Sequence, residues 1–147
     1  MRHPCPDNLK PLSPEAEQAV QDAHRRAVLI VEDERVARRA LATLLAAHGF
    51  DTTAAASAEE ALRLLEDLQN RAEQRVALVD LNLPGMNGVE FISRLERMDP
   101  SVYPVLMTAA SDEVIDEALR DRSVVYLRKP LDLGQLLTVI TNGEERN

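Results

Sequence analysis

Four short apolar runs, each closing on a polar residue suited to phosphate chemistry, constrain this chain more than any other feature. They are Val28-Leu29-Ile30-Val31 before Glu32-Asp33, Val76-Ala77-Leu78-Val79 before Asp80, Val105-Leu106-Met107 before Thr108, and Val124-Val125-Tyr126-Leu127 before Arg128-Lys129-Pro130. Runs of this length, separated by helix-patterned stretches, read as strands of a parallel sheet buried on both faces. Ligand sites in open parallel sheets lie beyond the carboxyl ends of the strands. Three carboxylates, one hydroxyl and one amine are therefore expected to converge on a single sheet edge.

The intervening sequence supports that alternation. Val36, Ala40, Leu41, Leu44 and Leu45 keep helical spacing up to His48, and Gly49 stands where helices commonly end. Phe50 to Ala55 reads as a second strand. Ser57 and Glu60 form a capping box for a helix through Leu62, Leu65 and Leu68 that trails into a polar stretch over residues 69–74. Pro84 to Gly88 is turn chemistry leading to a helix on Val89, Phe91, Ile92 and Leu95. Ser111 caps a short helix with Val114, Ile115, Ala118 and Leu119, and Leu133, Leu136, Leu137 and Ile140 mark the last one. Strands alternating with helices in this way predict a doubly wound α/β sheet.

A chain of 147 residues accommodates one such domain with a modest extension. Residues 1–26 read as a proline-rich flexible arm followed by a short helix, with Ser13 as N-cap and Pro14 at the first helical position. The domain is expected over residues 27–143, followed by a four-residue tail, 144–147. A net charge of -8 opposes direct binding to nucleic acid, whose affinity comes mainly from Lys and Arg neutralising phosphates. With no Trp and 3% aromatic residues, base stacking is an equally poor fit. One cysteine, Cys5, fits a reducing compartment, and no apolar run is long enough for a bilayer, so a soluble cytoplasmic protein is expected.

Glu32, Asp33 and Asp80 brought together would repel one another unless a cation joined them, and a hard divalent ion such as Mg²⁺ suits an all-oxygen set. In that company Asp80 is the candidate nucleophile for a phosphoryl group. Lys129 and Thr108 are the groups that would contact phosphate oxygens. Taken singly, each has a plainer reading: an acid after a strand often caps a helix, and a Thr there often only packs.

The segments Val28 to Glu34, Asp80 to Gly88, Met107-Thr108-Ala109 and Tyr126 to Pro130, in this order, resemble the receiver domains of two-component response regulators. The resemblance implies a flavodoxin-like five-stranded parallel sheet of order 2-1-3-4-5. It implies Mg²⁺-dependent transfer of a phosphoryl group to Asp80 from a sensor histidine kinase or histidine phosphotransfer protein. By position, Glu32, Asp33, Asp80 and the main-chain carbonyl of Asn82 correspond to metal ligands, Asp80, Lys129 and Thr108 to the reacting site, and Thr108 and Tyr126 to the switch pair. A cis Lys129-Pro130 bond, a downstream effector partner and dimerisation after phosphorylation are implied too. Tyr126 reads equally well as a static strand residue. Catalysis beyond self-phosphorylation from small donors and self-dephosphorylation is not expected, and the small Ala109 and Ala110 leave room for water, which Asn82 could orient.

Four departures from the family pattern stand out. Arg120 to Val124 replaces a Gly-Ala turn, the fourth helix is short, the stretch over residues 69–74 is long, and Leu131 stands where an aromatic residue is usual. Two other functions compete with a phosphorylation switch. One is an interaction module that works without phosphorylation. The other is a haloacid-dehalogenase-type hydrolase, which requires an acid where this chain has Asn82.

Overall fold

The protein is described by a computed structural model covering residues 13–16, 27–68, 76–120 and 122–146. Among the described residues from Ala27 onward, ten elements alternate strictly: β1 Ala27–Val31, α1 Arg35–Ala47, β2 Asp51–Ala55, α2 Ala58–Leu68, β3 Val76–Asp80, α3 Gly88–Met98, β4 Tyr103–Thr108, α4 Asp112–Leu119, β5 Val125–Arg128 and α5 Leu133–Arg146. The strands form one parallel sheet of order β2-β1-β3-β4-β5, the doubly wound α/β arrangement expected from the sequence.

Because side chains alternate across a strand, each central strand supplies two cores at once. Leu29, Val31, Ala77, Val79 and Leu106 pack with Ala58 and Ala61 of α2, Phe91, Ile92 and Leu95 of α3, and Ile115 and Leu119 of α4. Val28, Ile30, Val76, Leu78, Val105 and Met107 pack on the opposite face with Leu41 and Leu45 of α1 and Leu136 and Ile140 of α5. Each of the larger aliphatic side chains contributes about 1.5–3 kcal/mol through its burial. The fourth apolar run, which forms β5, departs from the expectation of burial on both faces. In β5 only Leu127 is buried, and Val125 and Tyr126 stand exposed, because the strand lies at the sheet edge with a neighbour on one side alone.

Local signals in the sequence act where they stand. Ser57 Oγ accepts the Glu60 N–H at 3.1 Å, the first half of the expected capping box, while the Glu60 carboxylate reaches one residue past the N-cap and accepts the Ala56 N–H at 3.1 Å. Ser111 and Asn87 cap α4 and α3 through their side-chain oxygens. Gly49, with φ +88°, ends α1 in the left-handed region that glycine tolerates best. Arg120 takes the corresponding place after α4 with φ 53°, an unusual conformation for a residue bearing a Cβ. Ser13 Oγ accepts the Ala16 N–H at 3.0 Å, as expected of an N-cap, and residues 14–16 are helical; residues 1–12, 17–26 and 69–74 lie outside the described residues. The last helix continues to Arg146, three residues past the expected boundary of the domain. Among the described residues, no helix is long and apolar enough to cross a membrane.

Candidate functional site

Strand register assembles the site. Val31 pairs with Val79, so the next residues, Glu32 and Asp80, meet at the carboxyl edge of β1 and β3. Thr108, the last residue of β4, pairs with Arg128 of β5, which brings Lys129 to the same edge. The Lys129 N–H donates to the Thr108 carbonyl at 2.8 Å, and the Leu81 N–H donates to the Met107 carbonyl at 2.9 Å, so the ladder extends past the strands into the loops that carry the chemistry. The Lys129-Pro130 peptide is cis, as the resemblance implied.

The Lys129 ammonium spans two carboxylates, donating to Glu32 Oε1 at 2.6 Å and to Asp80 Oδ2 at 3.0 Å. Glu32 is 2% exposed and Asp80 6%, whereas Asp33 lies open to solvent. One carboxylate oxygen from each of Glu32, Asp33 and Asp80 falls within 4.8 Å of the others. Asp80 Oδ1 accepts the Asn82 N–H at 3.0 Å and Glu32 Oε2 accepts the Glu34 N–H at 3.2 Å. Thr108 is buried, and its hydroxyl oxygen accepts the Ala110 N–H at 2.9 Å, leaving the hydroxyl hydrogen available to donate.

Electrostatics at the cluster are unbalanced. Burial pushes the Glu32 carboxyl above its ordinary value, and Asp80 adds to the rise against the opposing pull of Lys129 and the Glu34 N–H. Burial also works against the Lys129 ammonium, but the hydrogen bonds to Glu32 and Asp80 outweigh it and raise its pKa. One ammonium facing three carboxylates leaves a surplus of negative charge in an oxygen-lined cluster. That donor set fits a hard divalent cation, which takes carboxylate, carbonyl and water oxygens.

Tyr126 stands apart from this pocket, 36% exposed, with its hydroxyl 3.5 Å from Asp112 Oδ1 at the start of α4. Arg128 pairs with the same carboxylate and donates to the Ala110 carbonyl at 2.8 Å. Every expected site residue thus lies at the carboxyl edge except Tyr126, which reaches outward over the edge strand. Sequence reasoning missed several residues that shape the loops. Glu34 caps α1 by accepting the N–H groups of Val36 and Ala37, Glu59 of α2 accepts the Met86 N–H across 27 positions at 3.2 Å, and Arg122 joins Ser93 and Glu96 of α3. The Glu34 cap had a signal, an acid directly before an apolar-periodic helix; the other two join elements far apart in the chain and had none.

The response regulator receiver domain family matches residues 28–141. A cyclic di-GMP phosphodiesterase of Thermotoga maritima is 34% identical over 117 residues, covering 79% of this chain and 30% of that protein. Sporulation initiation phosphotransferase F of Bacillus subtilis is 27% identical over 110 residues, covering 74% of this chain and 86% of that protein. Among solved structures, the signal receiver domain of an HD domain-containing protein from Pseudomonas fluorescens Pf-5 superposes with a TM-score of 0.72 at 25% identity, covering 94% of this chain and 93% of that one. The chain spans between 23% and 30% of the length of the first three curated relatives it matches.

Proposed function

Because this chain belongs to the response regulator receiver domain family, whose members act as phosphorylation-controlled switches, we propose that it accepts a phosphoryl group on Asp80 from a phosphohistidine donor. The observation that carries the reading is the ammonium of Lys129 lying against both Asp80 and Glu32 at the mouth of the acidic cluster. An Asp80 carboxylate oxygen attacks phosphorus, the nitrogen–phosphorus bond of the donor breaks with its electron pair returning to the ring nitrogen, and the imidazole, already protonated on its other nitrogen, leaves neutral. Little covalent chemistry is asked of the protein, so positioning and charge compensation dominate the rate.

Each remaining residue has a task in that frame. Lys129 follows the incoming phosphoryl oxygens as a mobile point charge, and the free hydroxyl hydrogen of Thr108 donates to another of them. Glu32, Asp33, Asp80 and the main-chain carbonyl of Asn82 would hold Mg²⁺, whose charge offsets that of the phosphoryl oxygens. Asn87 caps α3 by accepting the Glu90 N–H, and the Gly88 N–H donates to the Leu81 carbonyl at 3.0 Å, which ties the start of α3 to the segment after Asp80.

The response runs through the loop after β4. Thr108 turning toward a phosphoryl group on Asp80 pulls on Ala110, whose N–H it holds and whose carbonyl Arg128 holds. Arg128 and Tyr126 share Asp112, so the pull reaches the face formed by α4, β5 and α5, where Val114, Val125, Tyr126 and Leu133 are exposed. A dianionic group favours whichever loop arrangement offers it more donors, and the face seen by an effector changes with it. A sensor histidine kinase or histidine phosphotransfer protein is the matching donor.

The test is intact mass after incubation with acetyl phosphate and Mg²⁺, for the parent chain and Asp80→Asn. A Mg²⁺-dependent gain of one phosphoryl group in the parent alone is expected. An equal gain in Asp80→Asn, or none in either, overturns the assignment.

A further inference from the structure

Resting on the metal site proposed above, we infer that Arg38 is a positioning residue that sets its affinity for a divalent cation by holding the Asp33 backbone. Two of the three acids are fixed by contacts of their own side chains. Glu32 is held by Lys129 and the Glu34 N–H, and Asp80 by Lys129 and the Asn82 N–H. Asp33 differs. Its carboxylate is exposed and makes no hydrogen bond or ion pair among the described residues, so its place at the cluster depends on its main chain.

That main chain is gripped from α1. Arg38 Nη1 donates to the Glu32 carbonyl at 2.9 Å and to the Asp33 carbonyl at 3.3 Å, while the Arg38 N–H donates to the Glu34 carbonyl at 2.9 Å. The half-buried guanidinium therefore ties two successive carbonyls of the acid loop, those of Glu32 and Asp33, to the first turn of the helix, and Arg38's own backbone N–H holds the next one, that of Glu34. On the other side the Glu32 N–H is anchored to the Ala55 carbonyl of β2 at 3.0 Å, so the loop is braced from both flanks up to Glu32 and from one flank beyond it. At Asp33 the Arg38 side chain is the brace. Outer residues that orient a ligand commonly change metal affinity by about 10–100-fold when removed.

The sign of the effect separates this role from plain electrostatics. A guanidinium near an acidic cluster repels a cation, so if charge alone mattered, its removal would tighten Mg²⁺ binding. Positioning predicts the reverse. The measurement is calorimetric titration of MgCl₂ into the full chain and its Arg38→Gln, Arg38→Ala and Arg38→Lys variants, with far-ultraviolet circular dichroism to establish that each is folded. The expected result is a Kd about 10-fold higher for Arg38→Gln and Arg38→Ala, and an intermediate value for Arg38→Lys, whose ammonium can reach one of the two carbonyls. Unchanged or tighter binding by folded Arg38→Gln would overturn the inference while leaving the proposed function standing. Should that variant fail to fold, Arg38→Lys decides, and parent-like affinity in it again overturns the inference. Absence of Mg²⁺ binding by the parent would overturn this inference together with the metal site on which it rests.

Discussion

Replacing Gly88 by alanine tests whether the fold presents Asp80 through backbone packing. Gly88 opens α3, is buried, and lies outside the positive-φ region, so alanine can adopt its backbone conformation. Its added Cβ would overlap the van der Waals sphere of the Asp80 carbonyl oxygen and stand 3.0 Å from the Leu81 Cα. Both are main-chain atoms of the segment carrying the candidate phosphoacceptor, and no flexible side chain is available to yield. Helix propensity favours alanine by at most about 1 kcal/mol, and less at a first helical position. Overpacking costs about 1–3 kcal/mol, and the upper part of that range applies when backbone must shift. The net expectation is a loss of about 2 kcal/mol, or a fall in Tm of roughly 6–8 °C for a domain of this size. Gly49→Ala is the control: φ there is +88° and nothing lies within 4 Å, so it reports left-handed strain without crowding, about 1 kcal/mol. Urea denaturation followed by circular dichroism measures both. If Gly88→Ala is as stable as the parent, or loses no more than Gly49→Ala, the packing argument is wrong.

Other expectations follow from single features. Arg120→Gly should stabilise the chain by about 1 kcal/mol, since a glycine removes the strain of φ 53° after α4; an unchanged urea midpoint would refute this. The raised pKa of Lys129 means that folding binds its proton more tightly than the unfolded chain does. Its stabilising contribution is therefore full below the ordinary value of 10.5 and is lost as pH rises through the higher folded-state value, so urea midpoints should fall at the alkaline end more steeply in the parent than in Lys129→Met. Mg²⁺ at 100 times its Kd should stabilise the fold by about 2.7 kcal/mol and chelation should reverse the gain, with Asp33→Asn losing most of the response in a thermal melt.

How far the sequence could be read depended on whether a feature was local or carried by strand edges. The Ser57–Glu60 box, the Ser111 cap and the exit at Gly49 involve neighbours in the chain, and periodicity separated helix from strand around them. Asp80 and Lys129, 49 positions apart, were readable because a parallel sheet brings the carboxyl ends of its strands to one edge. Tyr126 was open between two readings because an edge strand leaves a side chain free to point either way, and here it points outward toward Asp112.

The amino-acid sequence by itself determined the alternation of elements, the parallel sheet and the set of groups at its edge, because apolar period and strand-end chemistry are properties of consecutive residues. Tertiary structure alone decided that Arg38 grips the acid loop, that Glu59 reaches Met86, that Arg122 joins α3 and that Arg128 and Tyr126 share Asp112. Long polar side chains have many rotamers and several partners within reach. Which partner each one meets is fixed only when packing sets the distance and angle between the elements that carry them.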